Sequence, residues 1–427
     1  MREATIWRRV LGLGDHTIVE AVEYDHERDA VIASVRPRAC KATRKRPYVL
    51  ACGRCGKPAP RFDNGEGRRE WRGLDLGECK VYLEGDAPRV SCPHHGVTVA
   101  RVPWARHGSR LSRDMEDTIA WLSVRSAKAT LVALLRITWR TVGAIVDRVV
   151  AEDRARKDPF DGLRRIGIDE ISYKRGHRYL MVVVDHDTGR LVWAGKDRTK
   201  KTLNEFFDLL GEKRCRRIKL VSADAAEFIG DVVKERCKKA TLCIDPFHCV
   251  KWATDALDEV RREVWNEARR AGQRAHAKEL KGCRFALWKN PEDLTDKQAA
   301  KLSWIAKTNA KLYRAYLLKE QLRQAFRLKG KPGIRLLHEW LAWACRSRIP
   351  AFVELSRKIR KNLPGIEAAL KYKLSNAIVE STNTKLRVLA RMAYGFKDPD
   401  HLIALALLDR GGHCPPLPGR PVQSDAA

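Results

Sequence analysis

Three apolar runs follow one another closely in the middle of the chain. Residues 165–173, 179–185 and 190–194 are rich in Ile, Val and Leu, and a tight polar turn, Asp187-Thr-Gly189, separates the last two. Apolar, β-branched runs of this length predict strands. Their short connections favour antiparallel pairing, because a parallel pair needs a long crossover.

Two further apolar runs, at residues 218–224 and 240–244, lie farther along the chain. An amphipathic helix is predicted before each of them, at 202–210 and at 227–237. A helical crossover between strands favours parallel pairing. The five runs together predict a mixed sheet of an α/β protein.

Helical periodicity dominates on both sides of this predicted sheet. Upstream, residues 115–124, 127–135 and 138–150 form three short amphipathic runs, and Thr138 can cap the third. Two short helices joined by a tight turn are typical of a helix-turn-helix, although an ordinary helical hairpin gives the same pattern. The residues predicted to begin its recognition helix are Trp139, Arg140 and Thr141.

These patterns predict an order of domains along the chain. The predicted segments are a β element at 1–48, a zinc ribbon at 49–105, a helix-turn-helix at 110–153, the first part of an α/β core at 162–250, an all-helical insertion at 251–374, a C-terminal core helix region at 375–412 and a disordered Pro-rich tail at 413–427.

The charge balance points to a polyanionic partner. The 427 residues carry 84 Lys and Arg against 53 Asp and Glu, which gives a net charge of +31. Such an excess favours nucleic acid, whose phosphates are bound with release of counterions. From this charge we expect DNA as the partner. We find no apolar run of about 18 residues and no signal peptide, so we expect no membrane association. The expected location is the bacterial cytoplasm, in association with the nucleoid.

Two pairs of residues in the second segment have the spacing of zinc ligands. Cys52-Gly-Arg-Cys55 is one pair, and Cys92-Pro-His-His95 repeats the spacing with Cys92 and His95. Four nitrogen and sulfur ligands in two such pairs predict a structural, tetrahedral zinc site. Cys79 or His94 can replace one ligand, and the alternative is four unligated surface residues.

Three acidic residues are the candidates for a catalytic metal site. Asp169 and Asp224 are each predicted to end a strand, and Glu380 lies on a predicted helix. Parallel neighbours bring their carboxyl ends together, so the two aspartates can converge. Hard divalent cations prefer oxygen ligands, and two Mg²⁺ (or Mn²⁺) ions about 4 Å apart can activate water and clamp a phosphodiester.

One further aspartate competes for the second position. Asp245 also ends a predicted strand, in Asp245-Pro-Phe-His248, and we prefer Asp224 because its strand is expected beside the first. Glu170 is expected on the opposite face from Asp169, since side chains alternate along a strand. Residues with a possible role near the site or on DNA are His248, Asn376, Asn383, Arg387 and Arg391.

Several short motifs along the chain carry a family resemblance. They are the two zinc-ligand pairs, residues 99–105, 136–142 and 167–171, Asp245-Pro-Phe-His-Cys-Val-Lys251, Asn376-Ala-Ile-Val-Glu-Ser-Thr-Asn383 and Arg391-Met-Ala-Tyr-Gly-Phe396. With these motifs, nearly the whole chain resembles a family of bacterial insertion-sequence transposases, ISL3. The resemblance implies an RNase H-like DDE core with a helical insertion before the glutamate. It implies Asp169 and Glu380 as the first and last acidic residues, and leaves Asp224 and Asp245 open.

The expected function follows from the charge, the acidic residues and this resemblance. We expect a homodimer that binds the terminal inverted repeats of an element, cleaves DNA with metal ions and joins the freed 3′-OH to target DNA. An RNase H-like nuclease or resolvase without strand transfer would use the same carboxylates. A zinc-ribbon and helix-turn-helix regulator with a decayed core is the alternative outside the enzymes.

Overall fold

A computed structural model describes residues 3–38, 50–174, 176 and 178–420 of the chain. The chain divides into two compact units, Met1–Pro159 with Leu386–Ala427, and Phe160–Lys385.

The first unit contains two sheets and a group of helices. Its elements are α1 (Glu3–Val10), β1 (Thr17–Asp25), β2 (Ala30–Pro37), β3 (Arg61–Asp63), β4 (Arg68–Arg72), β5 (Lys80–Asp86), β6 (Arg89–Cys92), β7 (Gly96–Val99), α2 (Arg113–Ser123), α3 (Lys128–Leu135) and α4 (Trp139–Arg156). The four-stranded sheet has the order β1-β2-β5-β4, and the three-stranded sheet has the order β3-β6-β7.

The four-stranded sheet crosses the predicted boundary between residues 48 and 49. Strand β2 pairs in parallel with β5, so the N-terminal strands share a sheet with a strand that lies within the segment 49–105. Val35, Trp71, Leu83 and Trp104 form part of one buried cluster on this sheet. The N-terminal strands therefore do not form a separate element, because their apolar faces are covered by residues from beyond the boundary.

Helices α2, α3 and α4 confirm the three predicted helical runs. Thr138 caps α4 as expected, since its side chain accepts a hydrogen bond from the Thr141 N–H. Arg136 ends α3 in the left-handed conformation, with φ of 53°. Among the described residues, no single helix has the length and apolar composition of a membrane span, although α3 and α4, bent by 103° at their turn, meet that test as a pair.

The C-terminal part of the chain packs on α4. Helix α16 (Ala377–Met392) passes from the second unit into the first, and α17 (Pro399–Arg410) follows it. His401 on α17 lies 3.5 Å from the Asp147 carboxylate of α4. The prediction that 375–412 belongs to the α/β core is therefore wrong for α17, whose apolar face finds its partner in the helical group.

The predicted tail also begins inside the first unit. His413 is buried, and its Nδ1 lies 2.9 Å from Asp153 Oδ2. Residues 414–420 are described without a helix or strand, and residues 421–427 lie outside the described residues.

The second unit is built on a five-stranded sheet. Its first elements are β8 (Arg165–Lys174), β9 (Arg178–Asp185), β10 (Leu191–Lys196), α5 (Lys200–Leu210), α6 (Glu212–Cys215), β11 (Leu220–Ala223), α7 (Glu227–Arg236) and β12 (Thr241–Ile244). The order is β10-β9-β8-β11-β12; the first three strands are antiparallel, and β11 is parallel to both β8 and β12. The predicted mixed sheet is confirmed.

Strand β8 is longer than its parallel neighbour, which corrects the expected position of Asp169. The parallel pairing of β8 with β11 ends at Gly167 opposite Ser222. Strand β8 continues to Lys174 because its other edge stays paired with β9. Asp169 therefore lies within a strand, two residues beyond the end of the parallel pairing.

The segment after the sheet is helical, as predicted. Its helices are α8 (Pro246–Arg270), α9 (Arg274–Lys281), α10 (Arg284–Trp288), α11 (Asp296–Thr308), α12 (Ala310–Leu328), α13 (Gly330–Ala344), α14 (Pro350–Lys361) and α15 (Leu363–Tyr372). The predicted boundary at 250/251 falls inside α8. Trp340 is fully buried in the large helical core, and its indole N–H donates to Leu318 O at 2.7 Å.

Helix α15 brings the chain back to the sheet. A Cβ atom on Gly365 would lie 2.8 Å from Ile244 Cγ1 and 3.4 Å from Leu242 O, so only glycine allows this close approach of α15 to β12. Helix α16 begins five residues after α15 ends, and the chain thus carries Glu380 back to the sheet from which the insertion departed.

Candidate functional site

Asp169 and Asp224 lie at neighbouring positions on the carboxyl side of β8 and β11. Asp224 directly follows the last residue of β11, and Asp169 lies beyond the end of the β8–β11 pairing. Burial is the main cause that raises the pKa of Asp169 to about 6, and the negative charge of Asp224 raises it further. A buried carboxyl group beside a second acidic residue suits a site that receives cations.

His248 contacts both competing aspartates from the first turn of α8. Its Nε2 lies 2.5 Å from Asp224 Oδ1 and 3.9 Å from Asp245 Oδ2. The contact with Asp224 raises the pKa of the His248 imidazole above its usual value, because a carboxylate favours the protonated ring.

Asp245 is engaged differently from Asp224. It is 6% exposed and caps α8, where its Oδ1 accepts from the Phe247 N–H, and it also accepts from the Asn376 N–H at 3.4 Å. Burial raises the pKa of its carboxyl group. Asp245 therefore joins the first turn of α8 to the residues before α16, whereas about a third of the Asp224 side chain is exposed.

A glycine on β8 lets α16 approach the sheet closely. A side chain at Gly167 would collide with Val379 Cγ2 of α16 and with His186 Nε2. Val379 is fully buried at this contact. The sequence motif Gly167-Ile-Asp169 therefore combines an acidic residue with the space that the following helix needs.

Asn376 is the centre of a buried polar network between the sheet and α16. Its Nδ2 lies 3.5 Å from Ile168 O, and its Oδ1 accepts from the Ser222 hydroxyl. His186 Nε2 lies 2.6 Å from the same hydroxyl, and burial lowers the pKa of this imidazole. Sequence reasoning missed Ser222 and His186, because a Ser and a His in apolar surroundings carry no spacing signal.

Asn383 holds Asp169 directly. Its Nδ2 donates to Asp169 Oδ2 at 2.8 Å, and the residue is 2% exposed. Asn383 Oδ1 is buried and has no hydrogen-bond partner among the described residues. An amide oxygen beside a carboxylate adds to the set of hard oxygen donors at this position.

Glu380 lies in the first turn of α16, between Asn376, which precedes the helix, and Asn383. It is exposed, and its backbone N–H donates to Asn376 O at 2.8 Å. In the described part of the chain, Asp169, Asp224 and Glu380 do not form a group with ligand atoms within 4.8 Å of one another. These three carboxylates are thus not assembled into a compact group in this structure.

The four predicted zinc ligands form a compact group, in which all ligand atoms lie within 4.8 Å of one another. They are Cys52, Cys55, Cys92 and His95. His95 Nδ1 lies 3.7 Å from Cys52 Sγ and 3.6 Å from Cys92 Sγ, and Cys55 Sγ lies 3.8 Å from Cys92 Sγ. Four ligands at about 2.3 Å from a tetrahedral ion are separated by about 3.8 Å, so the group fits zinc. The backbone N–H of His94 helps to lower the pKa of Cys92 to about 6.

The two alternative zinc ligands make other contacts. Cys79 Sγ lies 3.7 Å from Asp29 Oδ1, and His94 Nε2 lies 3.2 Å from Lys57 Nζ. Cys92 ends β6 and His95 lies between β6 and β7, whereas Cys79 precedes β5 of the other sheet.

The candidate DNA-contacting side chains differ in exposure. Trp139 is 49% exposed, Arg140 is exposed at the first turn of α4, and Arg387 and Arg391 are exposed on α16. Thr141 is half-buried, and its hydroxyl lies 2.8 Å from that of Thr138. Trp139 and Arg140 are therefore free to approach a groove, while Thr141 takes part in capping α4.

Comparison with known proteins agrees with this organisation. A family model described as a transposase matches residues 166–406. Models described as the helix-turn-helix domain of transposase family ISL3 and as the zinc-finger of transposase IS204/IS1001/IS1096/IS1165 match residues 100–150 and 49–95. The chain belongs to the ISL3 transposase family. Membership of this family implies that the protein binds DNA and a divalent metal ion. The zinc-finger match and the group of three cysteines and one histidine together support a structural zinc ion.

Relatives of this ISL3 family chain are named transposases. The chain is 53% identical over 444 residues to the transposase for insertion sequence element IS1557 of Mycobacterium tuberculosis, with 98% of each chain covered. It is 26% identical to the transposase for insertion sequence element IS1001 of Bordetella parapertussis, with 83% of this chain and 87% of that protein covered.

Proposed function

We propose that this ISL3 family protein binds the terminal inverted repeats of its insertion sequence and catalyses metal-dependent cleavage and strand transfer. The observation that carries the proposal is the convergence of Asp169 and Asp224 beside α16, which is tied to Asp169 through Asn383. We also propose that the five-stranded sheet with its helical insertion is an RNase H-like core, and that two protomers pair the two ends of the element.

We propose Asp169, Asp224 and Glu380 as the residues that hold two Mg²⁺ or Mn²⁺ ions. Such ions, when bound, would activate the attacking water or 3′-OH and stabilise the leaving oxygen. Asp224 is favoured over Asp245 because Asp245 already caps α8 and accepts the Asn376 N–H. Glu380 supplies the third carboxylate by a change in its side-chain torsions, since its helix is already fixed on the sheet.

The surrounding polar residues would orient these carboxylates. Asn383 Nδ2 fixes one oxygen of Asp169, and His248 Nε2 holds one oxygen of Asp224. A protonated His248 ring would also lie beside the scissile phosphate and partly neutralise its charge. Hydrogen bonds of this kind determine the orientation of the residues that hold a metal.

An assay that scores both cut and joined DNA tests the proposal. The purified protein is incubated with a duplex carrying its element's own ends, a plasmid target and Mg²⁺. We expect cleavage at the element end and products in which the 3′ end is joined to the plasmid. Cleavage without joined products would support a nuclease or resolvase, and the absence of both with tight end binding would support a regulator.

Asn383→Ala is expected to reduce cleavage by about 10- to 100-fold, because residues that orient metal ligands usually have effects of this size. End binding without metal should remain unchanged. Asn204→Ala is a matched control, since Asn204 donates a side-chain hydrogen bond to Lys200 O within α5. Cleavage rates at several Mg²⁺ concentrations measure the effect, and an undiminished rate for Asn383→Ala would remove its proposed role.

Arg140→Ala is expected to weaken binding to the cognate end by about 1–3 kcal/mol and to relax the preference at one base pair. The reason is that an exposed arginine in the first turn of a recognition helix can reach base edges in the major groove. Binding to cognate and scrambled ends is measured at two salt concentrations. Equal loss on both DNAs would indicate a phosphate contact, and no loss would place the recognition surface elsewhere.

A further inference from the structure

An exposed aromatic side chain lies next to the carboxylates of the candidate site. Phe247 is 58% exposed, and it lies in the first turn of α8 between Asp245 and His248. Of the described residues between 160 and 250, it is the aromatic one that is exposed; Phe160, Phe206 and Phe207, for example, are buried in the core of the sheet. Folding therefore gains little from placing a phenyl ring at this position.

The backbone at Phe247 is held by the site itself. The Phe247 N–H donates to Asp245 Oδ1, which fixes the first turn of the helix. The centre of its ring lies 5.9 Å from that of His248, with the two planes at 89°. His248 in turn contacts Asp224 at 2.5 Å. An exposed apolar surface thus lies one residue away from the imidazole that touches a proposed metal-holding carboxylate.

The burial of Asp169 provides a reason for an exposed aromatic ring at Phe247. Of the proposed metal-holding carboxylates, Asp169 is half-buried, so we expect a phosphodiester to leave the regular duplex path to approach it. Distortion of the backbone unstacks neighbouring bases, and enzymes compensate for lost stacking with aromatic side chains. An apolar protein partner fits less well, because docking on Phe247 would also desolvate Asp224 and His248.

We propose that Phe247 forms a nucleobase-binding site, in which its ring stacks on a base adjacent to the scissile phosphodiester. This inference rests on the proposed function for the identity of the DNA. It adds a recognition element that is aromatic and tolerant of base identity, since every base offers a flat π face. Phe247 is thus a positioning residue that stabilises the distorted DNA.

Photocrosslinking tests the contact without cleavage. Asp169→Asn protein, which keeps the DNA uncut, is bound to element ends that carry 5-iodouracil at each nucleotide flanking the scissile bond. We expect a crosslink to the peptide containing Phe247 at one of these positions, and its loss in the Phe247→Leu variant. Phe285→Leu is the matched control, since Phe285 on α10 is 61% exposed. If none of the 5-iodouracil positions gives a crosslink to the peptide containing Phe247, the proposal is overturned.

Cleavage kinetics test what the contact does. In otherwise wild-type protein, Phe247→Leu is expected to slow cleavage by about 5- to 150-fold, the range expected for loss of one stacked base, while Phe247→Trp stays within about threefold. On an end with an abasic site at the crosslinked nucleotide, wild type and Phe247→Leu should cleave at nearly the same rate. A difference that persists on the abasic end would show a structural role and overturn the proposal.

The two measurements also separate this inference from the proposed function. If wild-type protein binds ends but cleaves none, the proposed strand chemistry fails, and the crosslink still decides whether Phe247 meets a base. If cleavage proceeds normally and Phe247→Leu matches wild type on intact ends, the nucleobase site alone fails. Thermal unfolding of Phe247→Leu is expected to match that of Phe285→Leu, because both rings are mostly in water.

Discussion

Asp169→Asn, Asp224→Asn and Glu380→Gln are each expected to reduce cleavage of element ends by about 10³-fold or more. The amide has nearly the shape of the acid but lacks the negative charge that holds a divalent cation. Loss of several kcal/mol of transition-state stabilisation corresponds to such a factor, at about 1.4 kcal/mol for each tenfold change. Binding of end DNA without metal should remain within about threefold, because the proposed DNA-binding residues of α4 lie in the other unit.

Two further variants make this experiment specific. Asp231→Asn changes an exposed acid on α7 and should cleave at the wild-type rate. Asp245→Asn retains an oxygen that can cap α8, and we expect it to keep at least about a tenth of the wild-type rate. If Asp245→Asn is inactive while Asp224→Asn cleaves normally, the second metal-holding aspartate is Asp245.

Cys52→Ser is expected to eliminate bound zinc, from about one ion per chain to none, and with it specific binding of element ends. Cys52 is completely buried and joins the group formed by Cys55, Cys92 and His95. The small cluster around it, with Ala59, Val90 and Ala100, buries little apolar surface. Structural zinc contributes about 10–16 kcal/mol of apparent binding energy in zinc-finger peptides, so this segment should depend on the ion to fold.

Cys79→Ser and His94→Ala are the controls for the zinc experiment. Cys79 and His94 have the chemistry of zinc ligands, but they contact Asp29 and Lys57 instead. Metal analysis of the purified variants should find about one zinc ion per chain in both. Wild-type protein that contains no zinc would contradict the assignment, and loss of zinc in His94→Ala with retention in His95→Ala would exchange the two histidines.

Local patterns determined much of the second unit. Apolar, β-branched runs and turn residues predicted the five strands, and the presence or absence of a helical crossover predicted their direction. The Cys52 and Cys92 pairs predicted the zinc group, because two close pairs of soft ligands have few other uses. The Asp245 and Asn376 motifs, both part of the resemblance to the ISL3 family, supplied residues that the structure brings together across 131 positions of the chain.

Long-range packing decided what these local patterns left open. The length of β8 beyond Asp169 depends on its pairing with β9, and no feature of the strand itself marks the end of its pairing with β11. The joining of β2 to β5 depends on which apolar faces cover each other. The same reason applies to α17, whose apolar sequence does not specify a partner; in the structure its His401 lies 3.5 Å from Asp147 of α4.

The sequence by itself predicted the candidate residues for the chemistry: the acids, Asn376 and Asn383, the zinc ligands and the basic charge. Only the tertiary structure decided which contacts these residues make. In the structure Asp245 caps a helix, and Asn383 donates a hydrogen bond to Asp169. Ser222 contacts both Asn376 and His186, and the Phe247 ring is exposed. Side-chain type and spacing are local properties, whereas hydrogen-bond partners and exposure depend on segments that meet only when the chain has folded.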